Sequence, residues 1–474
     1  MIATATPSLR PGASDVVMRR LFPKANPYRE DPNGWARSKG LHLWSKQREI
    51  NDSIVEHRYT AVQSCHGIGK SFDAAVLANW WLDVHPPGEA FLVTTAPTGR
   101  QVYAILWRYI RRMHNAFGLP GRITLDADYY LSIGGTDELV GYGRKPADYD
   151  PAAFQGIHAK YVLVIVDEAC GVPVALFDAV DSLVTSEGSR VLAIGNPDDP
   201  SSHFKKACEE WESRITVSAF DAPCFTGEEV PEHVADELVT RRWVEERKER
   251  WGEDSPVYAS KVLGEFPKDS EDAVVPGSWA FRCQNTPAES DAKLPNEAGI
   301  DCGAGGDRTV MVHRRGLKAR VLFEGKTPDT MAAADEVHQL IVKNKIDRVK
   351  IDVIGVGQGI TDQLTRLSRG RYKVVPVNVG KRSSDPSRFA RLRDELWWNA
   401  RELCETDGWD LSDMPDDFIA ELTAPKYKFD ASKRINVERK DETKKRLGKS
   451  PDLADAALLA FGEPASTAKR WSMI

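Results

Sequence analysis

Four short runs of apolar residues punctuate the first half of the chain, at 59–63, 90–95, 161–166 and 190–194, each bounded by turn-forming or charged residues. Apolar runs of that length, without polar alternation, read as strands buried on both faces. The helical stretches between them imply an α/β fold with a parallel sheet and helices on both of its faces, from Leu41 to about Phe220. From 228 to 251 the chain turns charged, with Arg241, Arg242, Arg247, Lys248 and Arg250 interleaved with Glu245, Glu246 and Glu249. This spacing predicts a solvated helix rather than one that contacts nucleic acid. Across 267–296 Pro, Ser, Asp and Glu dominate and periodicity fades, as expected of a linker.

Beyond the linker, three closely spaced strands at 297–302, 309–314 and 319–324 suit an antiparallel meander turning at Arg315-Gly316. A helix at 329–344, a buried strand at 349–353, a further helix, a strand at 372–379 and a long helix at 388–404 follow. That order fits an RNase H-like mixed sheet flanked by helices. Trp397 and Trp398 read as core rather than as platforms for stacked bases.

A chain of 474 residues exceeds one ordinary core and suits two domains, so two separate sites are admissible. No apolar stretch approaches the roughly 20 residues of a membrane span, and residues 1–15 carry Pro and Arg where a secretory leader needs an apolar run. The expectation is a protein that stays in the cytosol, with no membrane partner. The seven cysteines, at 65, 170, 208, 224, 283, 302 and 404, include no C-x-x-C pair. This excludes a zinc ribbon or a disulfide framework as the organising principle and implies reduced thiols. A net charge of -6 gives no global nucleic-acid signature, so any such contact must be local.

Chemistry first appears in Ser64-Cys65-His66-Gly67-Ile68-Gly69-Lys70-Ser71, which follows a strand and opens a helix. In a phosphate-binding loop, backbone N–H groups wrap the phosphates, Lys70 reaches the β and γ oxygens, and the Ser71 hydroxyl holds Mg2+. Ser64 replaces the usual first glycine. The strand Val162-Leu163-Val164-Ile165-Val166 then ends in Asp167 and Glu168, the first placed to hold Mg2+ and the second to polarise an attacking water. A third strand ends in Gly195-Asn196-Pro197, where Asn196 reads either as a γ-phosphate sensor or as a plain turn residue. ATP is the implied ligand.

The second half supplies a different constellation. Hydrolysis of a phosphodiester with two metal ions needs several carboxylates converging from different elements, because small hard cations take oxygen ligands. Asp301 ends the first meander strand, Asp352 ends the strand 349–353, and Asp452 and Asp455 lie one turn apart at the start of the last helix. Small residues Ala454, Ala456 and Ala457 would let that helix approach the sheet closely. Asp307 follows Gly305-Gly306 and reads more simply as a turn acid. The segment 433–449 has a local charge of +5, and Lys440, Lys444, Lys445 and Arg446 within it are candidate phosphate contacts, with a solvated loop as the alternative. All-oxygen sites of this kind take Mg2+ or Mn2+.

Several of these segments together resemble the large terminase subunits of tailed double-stranded DNA phages. Leu43-Trp44-Ser45-Lys46-Gln47-Arg48 is similar to the family's adenine-recognising segment, with Gln47 in the adenine-binding place. Thr95-Ala96-Pro97-Thr98-Gly99-Arg100-Gln101-Val102, Gln155-Gly156-Ile157-His158-Ala159, and Val262-Leu263-Gly264-Glu265-Phe266-Pro267 match further family elements. So does 434–440 leading through Lys444-Lys445-Arg446 to Ser450-Pro451-Asp452-Leu453-Ala454-Asp455-Ala456. The resemblance implies Asp301, Asp352 and Asp455 as the main metal ligands of a nuclease, with Asp452 secondary. It also places Arg144 where the family carries an arginine acting on a neighbouring subunit's ATP, an ordinary surface arginine being the alternative.

On this reading residues 1–40 are an extension, 41–266 a P-loop ATPase domain closed by a helical segment at 228–266, 267–296 the linker, 297–465 an RNase H-like nuclease domain and 466–474 a tail. The resemblance further implies a homo-oligomeric ring and three partners: double-stranded DNA, the portal protein of the procapsid and a small terminase subunit. It implies a location in the host bacterial cytoplasm with transient docking on the portal. Two other functions fit parts of the pattern: a repair or recombination helicase-nuclease, and an ATP-gated DNA-binding scaffold whose nuclease acids are structural. A helicase needs a second ATPase lobe, which the residues after Asn196 do not supply. Metal titration separates the scaffold from the enzyme.

Overall fold

The structure is a computed structural model that describes residues 26–133, 135–144, 159–268, 270–286, 295–303, 308–326, 329–355 and 357–462. The chain forms two compact units, one of Met1–Thr60, Ser71–Ile165 and Ala179–Leu192, the other of Ala61–Lys70, Val166–Asp178 and Ala193–Ile474.

The first sheet has eight strands. β1 (Tyr59–Ser64), β2 (Ala90–Thr95), β6 (Tyr161–Asp167) and β7 (Arg190–Gly195) fall where the apolar runs place them. β3 (Arg122–Ile123), β4 (Asp128–Ile133), β5 (Thr136–Arg144) and β8 (Ser213–Val217) complete the order β3-β4-β5-β2-β6-β7-β1-β8. The expected parallel sheet is in fact mixed. β2 runs parallel to β5, pairing Leu92 with Gly141, but β4 is antiparallel to both β5 and β3. The reason lies in the sequence around Asp128-Tyr129-Tyr130-Leu131, where alternate residues are buried and a turn at Gly135, with φ +90°, reverses the chain. Such a half-exposed hairpin has a period of two and no continuous apolar run.

The second sheet has six strands in the order β13-β12-β9-β10-β11-β14. β9 (Asn296–Asp301), β10 (Thr309–Arg315) and β11 (Lys318–Gly325) form the expected antiparallel meander, while β12 (Arg348–Asp352) runs parallel to β9 and β13 (Lys373–Val377) parallel to β12. Ala298, Ile300, Met311, Val349 and Ile351 pack with Val337, Ile341 and Leu364 from the helices Thr330–Lys343 and Gly357–Ser368 to make its core. β14 (Asp410–Asp413) adds a parallel edge to β11, and β15 (Tyr427–Phe429) pairs with β16 (Ile435–Val437) as a separate hairpin. These three strands are too short to show as apolar runs.

Other expectations are refined. The charged stretch 228–251 is two helices, Glu232–Ala235 and Arg241–Trp251. Between them the Val239 N–H donates to Gly67 O at 2.7 Å, a bond outside any helix, and Thr240 then caps the second helix through Trp243 N. That helix is not wholly solvated: Val244 and Trp251 are buried, Trp251 Nε1 donates to Asp417 Oδ1 at 2.7 Å, and Arg250 pairs with the same carboxylate. Within the stretch expected as linker, Gly277–Asn285 is a helix that buries Ala280, Phe281 and Cys283. Trp397 is fully buried, and Trp398 is half-buried against Tyr427. All seven cysteines are free thiols. Among the described residues no helix is long and apolar enough to cross a membrane.

Candidate functional sites

The loop between β1 and the helix Lys70–Val84 is held from outside by its own backbone. Cys65 N–H donates to Val217 O at 2.8 Å and His66 N–H to Lys261 O at 2.9 Å, while Gly67 and Gly69 adopt φ of +69° and +79°. Positive φ costs glycine nothing, so the loop curls without strain. Lys70 Nζ rests 3.3 Å from Cys65 O, 3.2 Å from Asn196 Oδ1 and 3.9 Å from Glu168 Oε1. Asn196 in turn donates to Ser64 O at 2.6 Å. The structure therefore brings Lys70, Glu168 and Asn196 together at the ends of β1, β6 and β7. Ser71 is the second residue of the helix, and Asp167, the last residue of β6, is buried.

Glu168 has φ +49°, a left-handed conformation that costs a non-glycine residue roughly 1–2 kcal/mol. Close packing enforces it: a Cβ on Gly195 would lie 2.8 Å from Ala169 N, so β7 passes directly against the turn that carries Glu168. Strain stored at a strand end in this way is characteristic of residues fixed for a task. Burial pushes the Cys65 thiol up to about 12, which leaves it inert. Burial, reinforced by Lys261 and Lys70, keeps His66 neutral. Behind the loop, Lys261 and Asp198 form a buried ion pair at 2.8 Å that sequence reading did not single out.

The second cluster is built on β9, β12 and the last helix, Asp452–Phe461. That helix lies directly on β9 because Gly299 faces it: a Cβ there would sit 2.1 Å from Ala456 O and 2.3 Å from Ala460 N. Its far end is clamped by the buried Lys350, whose Nζ lies 3.1 Å from Ala460 O, 2.5 Å from Gly462 O and 2.7 Å from Glu297 Oε2. A cation beside C-terminal carbonyls is the favourable sense of the helix dipole. Asp452 and Asp455 are thereby carried to Asp301 at the end of β9.

A single ammonium joins these acids. Lys440 Nζ stands 2.8 Å from Asp455 Oδ2, 3.1 Å from Asp301 Oδ2 and 3.4 Å from Asp452 Oδ1. Burial raises Asp301, with Asp455 and Asp452 adding to the effect and Lys440 opposing it. Lys440 is held protonated against its burial by Asp455 and Asp301. Asp352 ends the neighbouring strand β12, is half-buried, and accepts from Ile354 N at 3.1 Å; burial raises it too. Among the described residues no set of three or more His, Cys, Asp or Glu side chains stands ready to hold a metal ion. The donor set is nonetheless the oxygen-only kind that hard divalent cations take, and the site already gathers its acids around a positive charge.

Sequence reading missed the residues behind these acids. Glu421 is fully buried in the helix Asp416–Thr423, between Ala420 and Leu422. A lone acid inside an otherwise apolar run was the available signal. It faces Arg308 and Lys449, and burial, opposed by those two cations, pushes it up to about 7.

The remaining candidates are more dispersed. Gln47 is buried in the helix Ser45–Glu56 and accepts from Trp44 N at 3.3 Å. Arg144 is the last residue of β5 and is paired with Asp128 Oδ1 at 2.7 Å. Lys444, Lys445 and Arg446 occupy the last turn of the helix Lys440–Leu447, with Arg446 bonded to Ala424 O and paired with Glu438. Lys440 itself is engaged by the acids rather than standing free for phosphate. Ile68 and Gly69 lie in the loop described above. Asp307 and residues 155–158 lie outside the described residues.

Two mixed sheets, the eight-stranded one with a lysine-glutamate-asparagine cluster at its strand ends and the six-stranded one with an aspartate cluster, define the class of the molecule. The chain is homologous to phage large terminase subunits. It is 27% identical over 447 residues to the probable large terminase subunit of Enterobacteria phage P7, covering 88% of this chain and 87% of that one. No family model matches it. Among solved structures, it is similar to the large terminase of a thermophilic bacteriophage, with 12% identity, a TM-score of 0.42, and coverage of 88% of this chain and 98% of that one. It is also similar to the nuclease domain of the large terminase subunit of bacterial virus Sf6, with 21% identity, a TM-score of 0.35, and coverage of 40% of this chain and 99% of that one.

Proposed function

We propose that the chain is a large terminase subunit: an ATP-hydrolysing motor that drives double-stranded DNA into a procapsid and a metal-dependent endonuclease that cuts it. The observation that carries this reading is the presence of two separate charged clusters, around Lys70 and around Lys440, on one chain homologous to a large terminase subunit over most of its length.

In the proposed ATP site, which spans a domain of about 41–266, Lys70 leaves Asn196 and Glu168 to take the β and γ oxygens. Ser71 and Asp167 would hold Mg2+, and Gln47 would recognise adenine. Glu168 polarises the attacking water, and Asn196, sharing its side chain between Lys70 and Ser64, responds to the γ-phosphate. Arg144 acts on a neighbour's ATP in a ring of subunits once it parts from Asp128. In the proposed nuclease domain, about 297–465, Asp301, Asp352 and Asp455, with Asp452, would hold Mg2+ or Mn2+. Bound divalent metal supplies Lewis-acid stabilisation of the phosphodiester's charge. The Lys440 ammonium stands among the same carboxylates, so it must give way or share them, and Lys444, Lys445 and Arg446 offer contacts to DNA phosphates. A portal protein and a small terminase subunit complete the proposed machinery, in the host cytoplasm.

The test is to incubate full-length protein with plasmid DNA and Mg2+ or Mn2+, following DNA breakage and ATP hydrolysis together. Wild type is compared with Asp352→Asn and Glu168→Gln. The expected result is that Asp352→Asn loses cutting but keeps ATP turnover, while Glu168→Gln loses ATP turnover. Cutting that Asp352→Asn does not affect would remove the nuclease assignment and favour the scaffold reading.

A further inference from the structure

The helix Asp452–Phe461 brings two acids to the proposed nuclease site, yet nothing adjacent in sequence caps it. Pro451 stands at the N-cap and offers no side-chain acceptor. The first N–H groups of a helix have no partner within it and must find one elsewhere. Here they find Glu421, 32 residues before Leu453: its Oε2 accepts from Leu453 N at 2.8 Å and from Ala454 N at 3.3 Å. Its Oε1 faces Arg308 Nη2 at 2.9 Å and Lys449 Nζ at 3.0 Å. Arg308 Nε also stands 3.9 Å from Asp452 Oδ2.

A fully buried carboxylate is a costly cap, since a serine or asparagine hydroxyl or amide would satisfy the same donors without desolvating a charge. The location of the charge explains its use. Leu453 and Ala454 are the two residues between Asp452 and Asp455, so whatever fixes their N–H groups fixes the origin of both carboxylates. An aspartate in the first turn otherwise tends to turn back onto those same donors and the positive end of the helix. Glu421 satisfies the donors and leaves Asp452 and Asp455 pointing at Lys440 and Asp301. Through Arg308 it also sets a guanidinium beside Asp452.

We propose that Glu421 is a positioning residue for metal-dependent DNA cutting: its negative charge orients Asp452 and Asp455 and so sets the affinity of their cluster for a divalent cation. This rests on the nuclease reading above. Glu421 touches neither the cation nor DNA. Loss of a residue that orients metal ligands typically weakens metal binding about 10- to 100-fold.

The test uses full-length protein, with Mn2+ as the probe. Plasmid cutting is titrated with Mn2+ for wild type, Asp352→Asn and Glu421→Gln, and the Mn2+-induced rise in melting temperature is measured on the same proteins without DNA. For Glu421→Gln the half-saturating Mn2+ should rise by about ten-fold or more. Its cutting rate at saturating Mn2+ and its ATP turnover should stay close to wild type. A merely structural role would lower the melting temperature and leave the Mn2+ half-saturation in place, and that result overturns the proposal. If Glu421→Gln does not fold, the double variant Glu421→Gln, Lys449→Met, which removes a buried cation along with the anion, carries the same titration. If wild type shows no Asp352-dependent cutting, the nuclease reading falls while the melting shifts still judge Glu421. A smaller Mn2+ shift in the variant than in wild type supports positioning of a cation site; equal shifts, or none in either protein, overturn it.

Discussion

The Lys440 ammonium lies 2.8 Å from Asp455 Oδ2 and, in the same position, 3.1 Å from Asp301 Oδ2, so a side chain of the protein neutralises the carboxylates proposed to take metal. Three acids around one cation repel each other strongly once that cation is removed. Lys440→Ala should therefore melt several degrees lower than wild type in EDTA. Mn2+ should restore the loss and raise the variant's melting temperature by more than it raises wild type's, because no ammonium competes for the acids. Equal Mn2+ shifts in a thermal denaturation series would show that Lys440 and metal do not share the site.

Gly299 gives a second prediction. A methyl group there meets the backbone of the last helix at Ala456 O and Ala460 N, and backbone cannot yield as a side-chain tip can. Gly299→Ala should cost about 1–3 kcal/mol, the usual penalty of overpacking. It should also abolish DNA cutting by displacing Asp452 and Asp455, with ATP hydrolysis retained. A variant that melts normally and cuts normally would contradict the packing described.

Glu168 gives a third. Its left-handed backbone is strain that glycine does not feel, so Glu168→Gly should relieve roughly 1 kcal/mol at that position. Part of this is returned through the greater freedom of glycine in the unfolded chain. The variant should melt no lower than wild type while losing ATP turnover. A clear drop in melting temperature would mean that the Glu168 carboxylate stabilises the fold by more than its backbone strain costs.

Acid sensitivity is the fourth. Burial, with Arg320 and Arg315, lowers His313 to about 4, and burial lowers His85 to about 4. A histidine with a depressed folded value binds its proton more readily when unfolded. The stability of its neutral form is therefore complete above about 6.5 and lost as pH falls from there towards 4. At about 1.4 kcal/mol per unit, each contributes at most about 3 kcal/mol to that loss. Denaturant melts between pH 7 and 4 should show His313→Asn flattening the slope; an unchanged slope would mean that folding does not shift the titration of His313.

The central strands of both sheets were legible because full burial demands uninterrupted apolar runs, and Leu92 or Ile165 could sit nowhere else. The hairpin of Asp128–Ile133 was not, since it exposes one face and its alternation is diluted by tyrosines that serve either environment. That Asp301, Asp452 and Asp455 meet was legible from strand ends and helical spacing. The parts that hold them were not: Lys440 read as a phosphate contact rather than as the partner of these acids, Glu421 and Lys350 lie far off in sequence, and a charge placed by tertiary packing leaves no periodic trace. The left-handed turn at Glu168 is likewise invisible in a motif, because it follows from how closely Gly195 passes.

Asp417 has a practical bearing on how the molecule can be divided. Its carboxylate, almost wholly covered, takes its donors from Trp251 and Arg250, upstream of the compositional break at 267. A recombinant fragment begun at that break would bare an acid stripped of its indole and guanidinium partners and should come out of expression poorly soluble. One begun ahead of Arg241 carries its own plug and is the better excision point for crystallography or for screening nuclease inhibitors.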